Sequence, residues 1–311
     1  MNIKRTIYNL LSALGLHTVK ECLTDRMAVE ALSMDTIRKC STAQIQDIVS
    51  NSSSELFTNL LRHQIASKWS IIDHLNKRIH DSTTDLKCPI CGFSGHTEFM
   101  PYQSYCIFGG GSLIRYQCPQ CDVIFGDNKM LSLSDAELMQ EYEWHYKAYK
   151  EGDSTDSEIR AFHCLNPSKD GVYLNYGAGS WSKSVSILRG QGWNVIAYEP
   201  HSSAATGVNN ILTSRDDLRE MRFDGIYSNN VLEHLQRPID ELQFLSGLLK
   251  DGGTMSHVTP CFSYLYEYTR FHLFFYLGRS RLVLAKRSDV EIVKFISDGE
   301  FMCCLMRNAK K

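Results

Sequence analysis

The chain has 311 residues, of which 43% are hydrophobic and 22% charged, and its formal net charge is −2 at pH 7. That length predicts two or three domains with enough apolar material for packed cores. The near-neutral balance argues against a general nucleic-acid binder, which needs a strongly basic surface.

The N-terminal stretch places Ile7, Leu10, Leu11 and Leu14 at helical spacing. Asn9, Ser12, His17 and Lys20 interrupt it, so it is too polar for a signal sequence or a membrane span. The expected compartment is therefore the cytoplasm, where the 11 cysteines serve as thiols or metal ligands rather than as a disulfide framework. Residues 1–80 read as a helical segment. Asn51-Ser52-Ser53-Ser54 predicts a break within it, with Ser54 capping the next helix, because these side chains compete for backbone hydrogen bonds. The segment carries no chemical motif; a substrate-binding or dimerising module, in a homo-oligomer, and a plain packing domain both fit it.

Residues 86–128 change character. Cys88-Pro-Ile-Cys91 and Cys118-Pro-Gln-Cys121 form two Cys-x-x-Cys knuckles with 26 residues between them. Four thiolates converging from two tight turns predict a structural Zn2+ site with no open position for catalysis. A redox pair is the competing reading, but such a site needs only one knuckle. Cys106 belongs to neither knuckle, and Cys22, Cys40, Cys164, Cys261, Cys303 and Cys304 read as small core residues. Residues 129–165 predict a helical linker opened by a capping box at Ser134 to Glu137.

From 166 to 311 short apolar strands alternate with helical stretches: GVYLNYG, WNVIAYEP, FDGIYSNN and GGTMSHVTP. The alternation predicts an α/β domain built on an open parallel sheet. VEIVKFI, SDGE and FMCCLMR then predict a closing antiparallel hairpin. Within the first unit, Gly177 and Gly179 sit between a strand and a helix, and Glu199 ends the next strand. Glycines there permit a tight turn and close approach of a ligand, and an acid at that place accepts hydrogen bonds from ribose hydroxyls. Nicotinamide or flavin binding competes with this reading, but Ser182 stands where that fingerprint has its third glycine.

From Gly171 to Arg307 the chain resembles the class I S-adenosylmethionine-dependent methyltransferases. The resemblance rests on LNYGAGSW, IAYEP, FDGIYSNNVLEHL, LLKDGG and the closing hairpin, in that order. It implies a Rossmann-like sheet ending in an antiparallel hairpin, here preceded by the helical segment and the zinc-binding module. That combination also resembles, more loosely, a subgroup acting on sugars and polysaccharides. The resemblance implies that Gly177 and Gly179 pass under the methionine and ribose of S-adenosylmethionine and that Glu199 holds the ribose. Ser228, Asn229 and Asn230 line the pocket, and Asp216 or Asp217 lies near the adenine. Two positions depart from the family: Asn175 replaces an acid, keeping hydrogen bonding but losing attraction for the cofactor's ammonium, and Trp181 crowds the helix start.

A hydroxyl acceptor needs its proton removed, a task that histidine most often performs. His234, His257 and His272 are the candidates; a Glu233–His234 metal site, as in some ubiquinone-type methyltransferases that share V-L-E-H, is a further reading. The aromatic run Tyr264 to Tyr276 is the expected wall for a small-molecule or glycan acceptor. A methyltransferase acting on RNA or protein, or a scaffold with a degenerate domain, are the alternatives.

Overall fold

A computed structural model of the chain describes residues 42–79, 86–95, 97–150, 152–179, 183–200 and 211–309. The N-terminal pattern at Ile7 to Leu14, Cys22, Cys40, Trp181 and Ser182 lie outside these residues. The chain divides into two compact units, Met1–Gln64 and Ile65–Lys311. Helix α1, Thr42–Ile79, contributes its residues 42–64 to the first and 65–79 to the second. It runs unbroken through Asn51 to Ser54, contrary to the expected turn. Asn and Ser each cost a helix only about half a kcal/mol, and no Gly or Pro occurs between 42 and 79 to stop it. Ser54 does not cap a helix start; its carbonyl accepts the Thr58 hydroxyl at 3.0 Å.

Within the second unit, β1 (Leu86–Lys87) and β2 (Ser94–Gly95) pair across the first knuckle. Strands β3 (Met100–Tyr105), β4 (Ser112–Gln117) and β5 (Ile124–Gly126) form an antiparallel ribbon. The ribbon is tied to α1 by a buried ion pair. Lys129 Nζ sits 2.7 Å from Asp73 Oδ1 and also donates to the carbonyls of Gly110 and Ser112. The expected helical linker comprises three helices: α2 (Asn128–Leu131), α3 (Asp135–Ala148) and α4 (Thr155–Cys164). The Ser134–Glu137 capping box is present at the start of α3. Helix α4 packs on the sheet that follows, with Ala161 and Phe162 buried against Tyr173 and Tyr227.

The sheet comprises β6 (Val172–Tyr176), β7 (Asn194–Tyr198), β8 (Ile211–Leu212), β9 (Phe223–Asn229), β10 (Leu249–Val258), β12 (Val290–Asp298) and β13 (Phe301–Asn308). Its spatial order is β12-β13-β10-β9-β6-β7-β8. The pairs linking β8, β7, β6, β9 and β10 are parallel, and β13 runs antiparallel to both β10 and β12. This is a Rossmann-like methyltransferase sheet closed by an antiparallel hairpin. Strands β6 and β9 are almost wholly buried, as expected of parallel strands covered on both faces. Helices α4 and α5 (Ser184–Gly190) pack together against it, as do α7 (Pro238–Gly247) and α8 (Ser280–Arg287), while α6 (Arg215–Arg219) follows β8. The chain leaves β6 toward β7 and β8 and then returns to β9, so the strand order reverses at the β6–β9 junction. Ligands bind outside the carboxyl ends of strands at such a point.

One strand joins distant parts of the chain. Strand β11, Phe274–Phe275, lies in the aromatic run but pairs antiparallel with β5 of the cysteine module. Among the described residues no helix is long and apolar enough to cross a membrane.

Candidate active site

A cleft of about 1190 Å³ opens at the carboxyl ends of β6, β7 and β9. Its floor is the turn after β6. Gly177 and Gly179 adopt φ of +75° and +61°, a region L-residues avoid. A Cβ on Gly177 would also overlap the Val231 side chain. The turn is fixed by the N–H groups of Gly177 and Ala178, which both donate to the Tyr198 carbonyl. Glu199, 8% exposed at the end of β7, accepts the Gly179 N–H at 3.0 Å through Oε2. The glycine turn and the acid are thereby one unit facing the cleft.

Of the residues expected at the cofactor, Gly177, Gly179, Glu199, Asn229 and Asn230 line the cleft, and Ser228 and Asn175 do not. Ser228 alternates to the other side of β9, where its hydroxyl lies 2.8 Å from His257 Nδ1. Asn175 is fully buried and donates from Nδ2 to Glu158 Oε2 at 2.9 Å. Asp216 and Asp217 are also absent from the cleft wall; Asp216 faces solvent and pairs with Arg219. The wall there is built from Arg215 and Glu241, 2.8 Å apart, with the Tyr176 hydroxyl donating to the same Glu241 carboxylate. The rings of Tyr176 and Tyr198 stack 5.0 Å apart.

The three histidines separate. His257 is 2% exposed within β10, and burial pushes its pKa down to about 4. It does not reach the cleft, because the strand alternation that buries Ser256 and Val258 leaves it between layers. His234 and His272 both line the cleft, their rings 5.0 Å apart and edge to face. The Tyr142 hydroxyl meets His234 Nδ1 at 3.0 Å. His272 Nδ1 lies 3.3 Å from Cys261 Sγ, and burial, then the neighbouring His234, keep its pKa well below the ordinary value. Glu233 is fully buried, neither of its oxygens has a hydrogen-bond partner among the described residues, and burial pushes its pKa up to about 7. Glu233, His234 and His272 each offer a ligand atom within 4.8 Å of the others.

The aromatic run divides its work. Tyr266, Tyr268 and Phe271 line the cleft, with Phe271 stacked on Tyr142 at 4.6 Å, while Phe274 and Phe275 form β11. The stretch is held from behind by Arg115, which is fully buried on β4 and donates to the carbonyls of Glu267, Thr269 and His272. Arg270 turns away from the cleft onto buried Glu141, at 3.1 Å. Glu158, Tyr142 and Arg115 were not singled out from the sequence. Each sits in a helix or strand with no local motif, and only long-range contacts bring it to the site.

Away from the cleft, the four cysteines Cys88, Cys91, Cys118 and Cys121 bring their sulfurs within 4.8 Å of one another. The Cys88–Cys121 and Cys91–Cys118 sulfurs are 3.6 and 3.5 Å apart, far from a bonded pair and close to the ~3.8 Å edge of a Zn–S tetrahedron. The two knuckles share a backbone. The N–H of Gly92 returns to the Cys88 carbonyl and that of Asp122 to the Cys118 carbonyl. Gly92 and Asp122 both take positive φ, +80° and +68°.

Residues 157–288 match a protein-family model described as a methyltransferase domain. No curated protein sequence matches the chain. Among solved structures, the CcbJ methyltransferase of Streptomyces caelestis is 14% identical with a TM-score of 0.40, covering 60% of this chain and 100% of that one. A Burkholderia thailandensis 1,6-didemethyltoxoflavin-N1-methyltransferase, solved with S-adenosylhomocysteine, is 13% identical with a TM-score of 0.47, covering 67% and 99%. A methyltransferase from Clostridium acetobutylicum is 12% identical with a TM-score of 0.38, covering 56% and 99%.

Proposed function

We propose that this chain, whose residues 157–288 match a methyltransferase domain, is an S-adenosylmethionine-dependent methyltransferase acting on a hydroxyl of a small-molecule or glycan acceptor. The observation that carries the reading is the juxtaposition, in one cleft, of the Gly177–Gly179 turn, Glu199 and the His234–His272 pair. The residues suit the cofactor: Gly177 and Gly179 have no Cβ to keep a ligand off the backbone, and Glu199 lies where ribose hydroxyls can donate to it. When bound, the cofactor supplies an electrophilic methyl group. The protein's part is then to position the acceptor, worth as much as about 7–11 kcal/mol when the geometry is right.

His234 is assigned as the residue that takes the acceptor's proton. It lines the cleft, and Tyr142 fixes the orientation of its ring. His257 is sealed within the sheet, and His272, held neutral by burial, is a weaker base. The rings of Tyr142, Phe271, Tyr266 and Tyr268 supply flat apolar faces for an acceptor. Zn2+ at Cys88, Cys91, Cys118 and Cys121 has a structural role, since four thiolates fill its shell. A second reading, metal-assisted deprotonation at Glu233, His234 and His272, is favoured by the unpartnered oxygens of Glu233 within that cluster. Metal analysis separates the two: one bound ion per chain fits the histidine base, and a second ion, lost in His272→Ala, fits the metal.

The test of the main reading is isothermal titration of the zinc-loaded protein with S-adenosylmethionine and S-adenosylhomocysteine. Micromolar binding, weakened at least tenfold in Glu199→Ala, is expected. A folded wild-type protein that binds neither ligand would overturn the enzyme and leave a scaffold.

A further inference from the structure

Asn175, the polar residue nearest the glycine turn on β6, is turned away from the cleft and spends its amide on another side chain, the carboxylate of Glu158. Glu158 lies in the first turn of α4 and is 4% exposed, yet it lines the same cleft as Gly177 and Gly179. Among the described residues three groups hold it: Asn175 Nδ2 at 2.9 Å and the Ser184 hydroxyl on Oε2, and the Ser154 hydroxyl at 2.6 Å on Oε1. All three donors are neutral. They fix the carboxylate in place, and none of them is a cation. A buried carboxylate held only by neutral donors is a favourable partner for a cationic ligand group.

The two positions also exclude each other as acids. An aspartate at 175 would bring a second carboxylate oxygen to the place now held by Nδ2, 2.9 Å from Glu158 Oε2, and like charges that close cannot both ionise. Asn175 is thus the residue that a carboxylate at 158 requires. Ser184 opens the helix after the glycine turn, so the same carboxylate ties α4, β6 and α5 together beside the turn.

We infer that Glu158 binds the α-ammonium group of the cofactor's amino-acid end. The inference rests on the proposed cofactor reading and names the residue that recognises one group of it. Affinity for an amino-acid-bearing thioether then depends on the amino group itself, through a residue outside the glycine turn.

The experiment compares S-adenosylhomocysteine with its analogue lacking the α-amino group, by isothermal titration against wild type, Glu158→Gln and the double variant Glu158→Gln/Asn175→Asp. Wild type is expected to prefer the amino-bearing ligand at least tenfold. Glu158→Gln is expected to lose that preference while binding the deaminated analogue within about twofold of wild type. The double variant, which returns an acid to the network from the other side, is expected to regain part of the preference. Equal weakening of both ligands in Glu158→Gln would mean a merely structural carboxylate and would overturn the inference. Wild-type protein that binds both ligands equally overturns it without any variant, so a misfolded mutant does not shelter it. Failure of wild type to bind either ligand overturns the cofactor reading and this inference together.

Discussion

At the scale of single residues, burial decides which ionisable groups serve the cleft and which serve the fold. His257 and His234 are both histidines near the carboxyl edge of the sheet, but only His234 faces the cleft. His257, with Ser228 beside Nδ1 and its pKa held near 4 by burial, is kept neutral in the folded protein. An unfolded histidine takes its proton near pH 6.5. Between pH 6.5 and 4 the unfolded chain therefore binds more protons than the folded one, and stability falls as pH drops. The loss reaches roughly 3 kcal/mol by pH 4 and grows no further below it. Thermal unfolding from pH 7 to 4 should show a shallower decline for His257→Asn than for wild type. An identical slope in both proteins would show that this ring is not the titrating group. Asn175 makes a parallel point about polar atoms, since its amide serves a buried carboxylate that only the fold brings near.

At the scale of elements, the turn after β6 combines a conformational demand with a packing demand. Gly177 needs positive φ and also leaves no room for a Cβ beside Val231. The two demands come from different sources, the turn itself and the segment that follows β9. Gly177→Ala is expected to lose cofactor affinity at least tenfold and to destabilise the protein by about 1–3 kcal/mol, measured by titration and denaturant unfolding. A substitution that leaves both unchanged would mean the turn is plastic and does not shape the cleft. The linker region is a contrasting element: its three helices carry separate tasks. Helix α3 presents Tyr142 and Glu141, and α4 presents Glu158 while burying Phe162 in the sheet core. Amphipathic spacing marks such helices as helices but does not say which polar residue on them will face a ligand.

At the scale of the whole second unit, the cysteine module is connected to the proposed acceptor side of the cleft rather than to the proposed cofactor side. Strand β11 pairs with β5, and Arg115 on β4 holds the carbonyls of residues 267, 269 and 272. Tyr266, Tyr268, Phe271 and His272 face the cleft from this stretch. Removing the proposed Zn2+ with a chelator is expected to loosen the module, since such sites contribute on the order of 10 kcal/mol to folding. Methyl transfer is then expected to fall at least tenfold while S-adenosylhomocysteine affinity stays within threefold, because the glycine turn and Glu199 lie on other strands. Parallel loss of both would instead show that the module supports the entire unit.

The local patterns of the sequence were enough to establish the sheet domain, its hairpin, the Ser134 capping box and the pairing of two Cys-x-x-Cys knuckles. These depend on period, turn chemistry and short spacing, all carried by neighbouring residues. Gly177, Gly179 and Glu199 were legible for the same reason, as one strand-turn-helix-strand unit. What the tertiary structure alone decided was which polar residues share a cavity. Alternation along β9 and β10 turned Ser228 and His257 away from the cleft. The long-range pairing of β11 with β5 set the aromatic run against the cysteine module. Contact between α4 and the end of β6 brought Glu158 to the cleft wall and turned the Asn175 amide onto it. Those outcomes depend on contacts between distant segments, whose closure follows from packing the whole sheet and leaves no local trace in the order of residues.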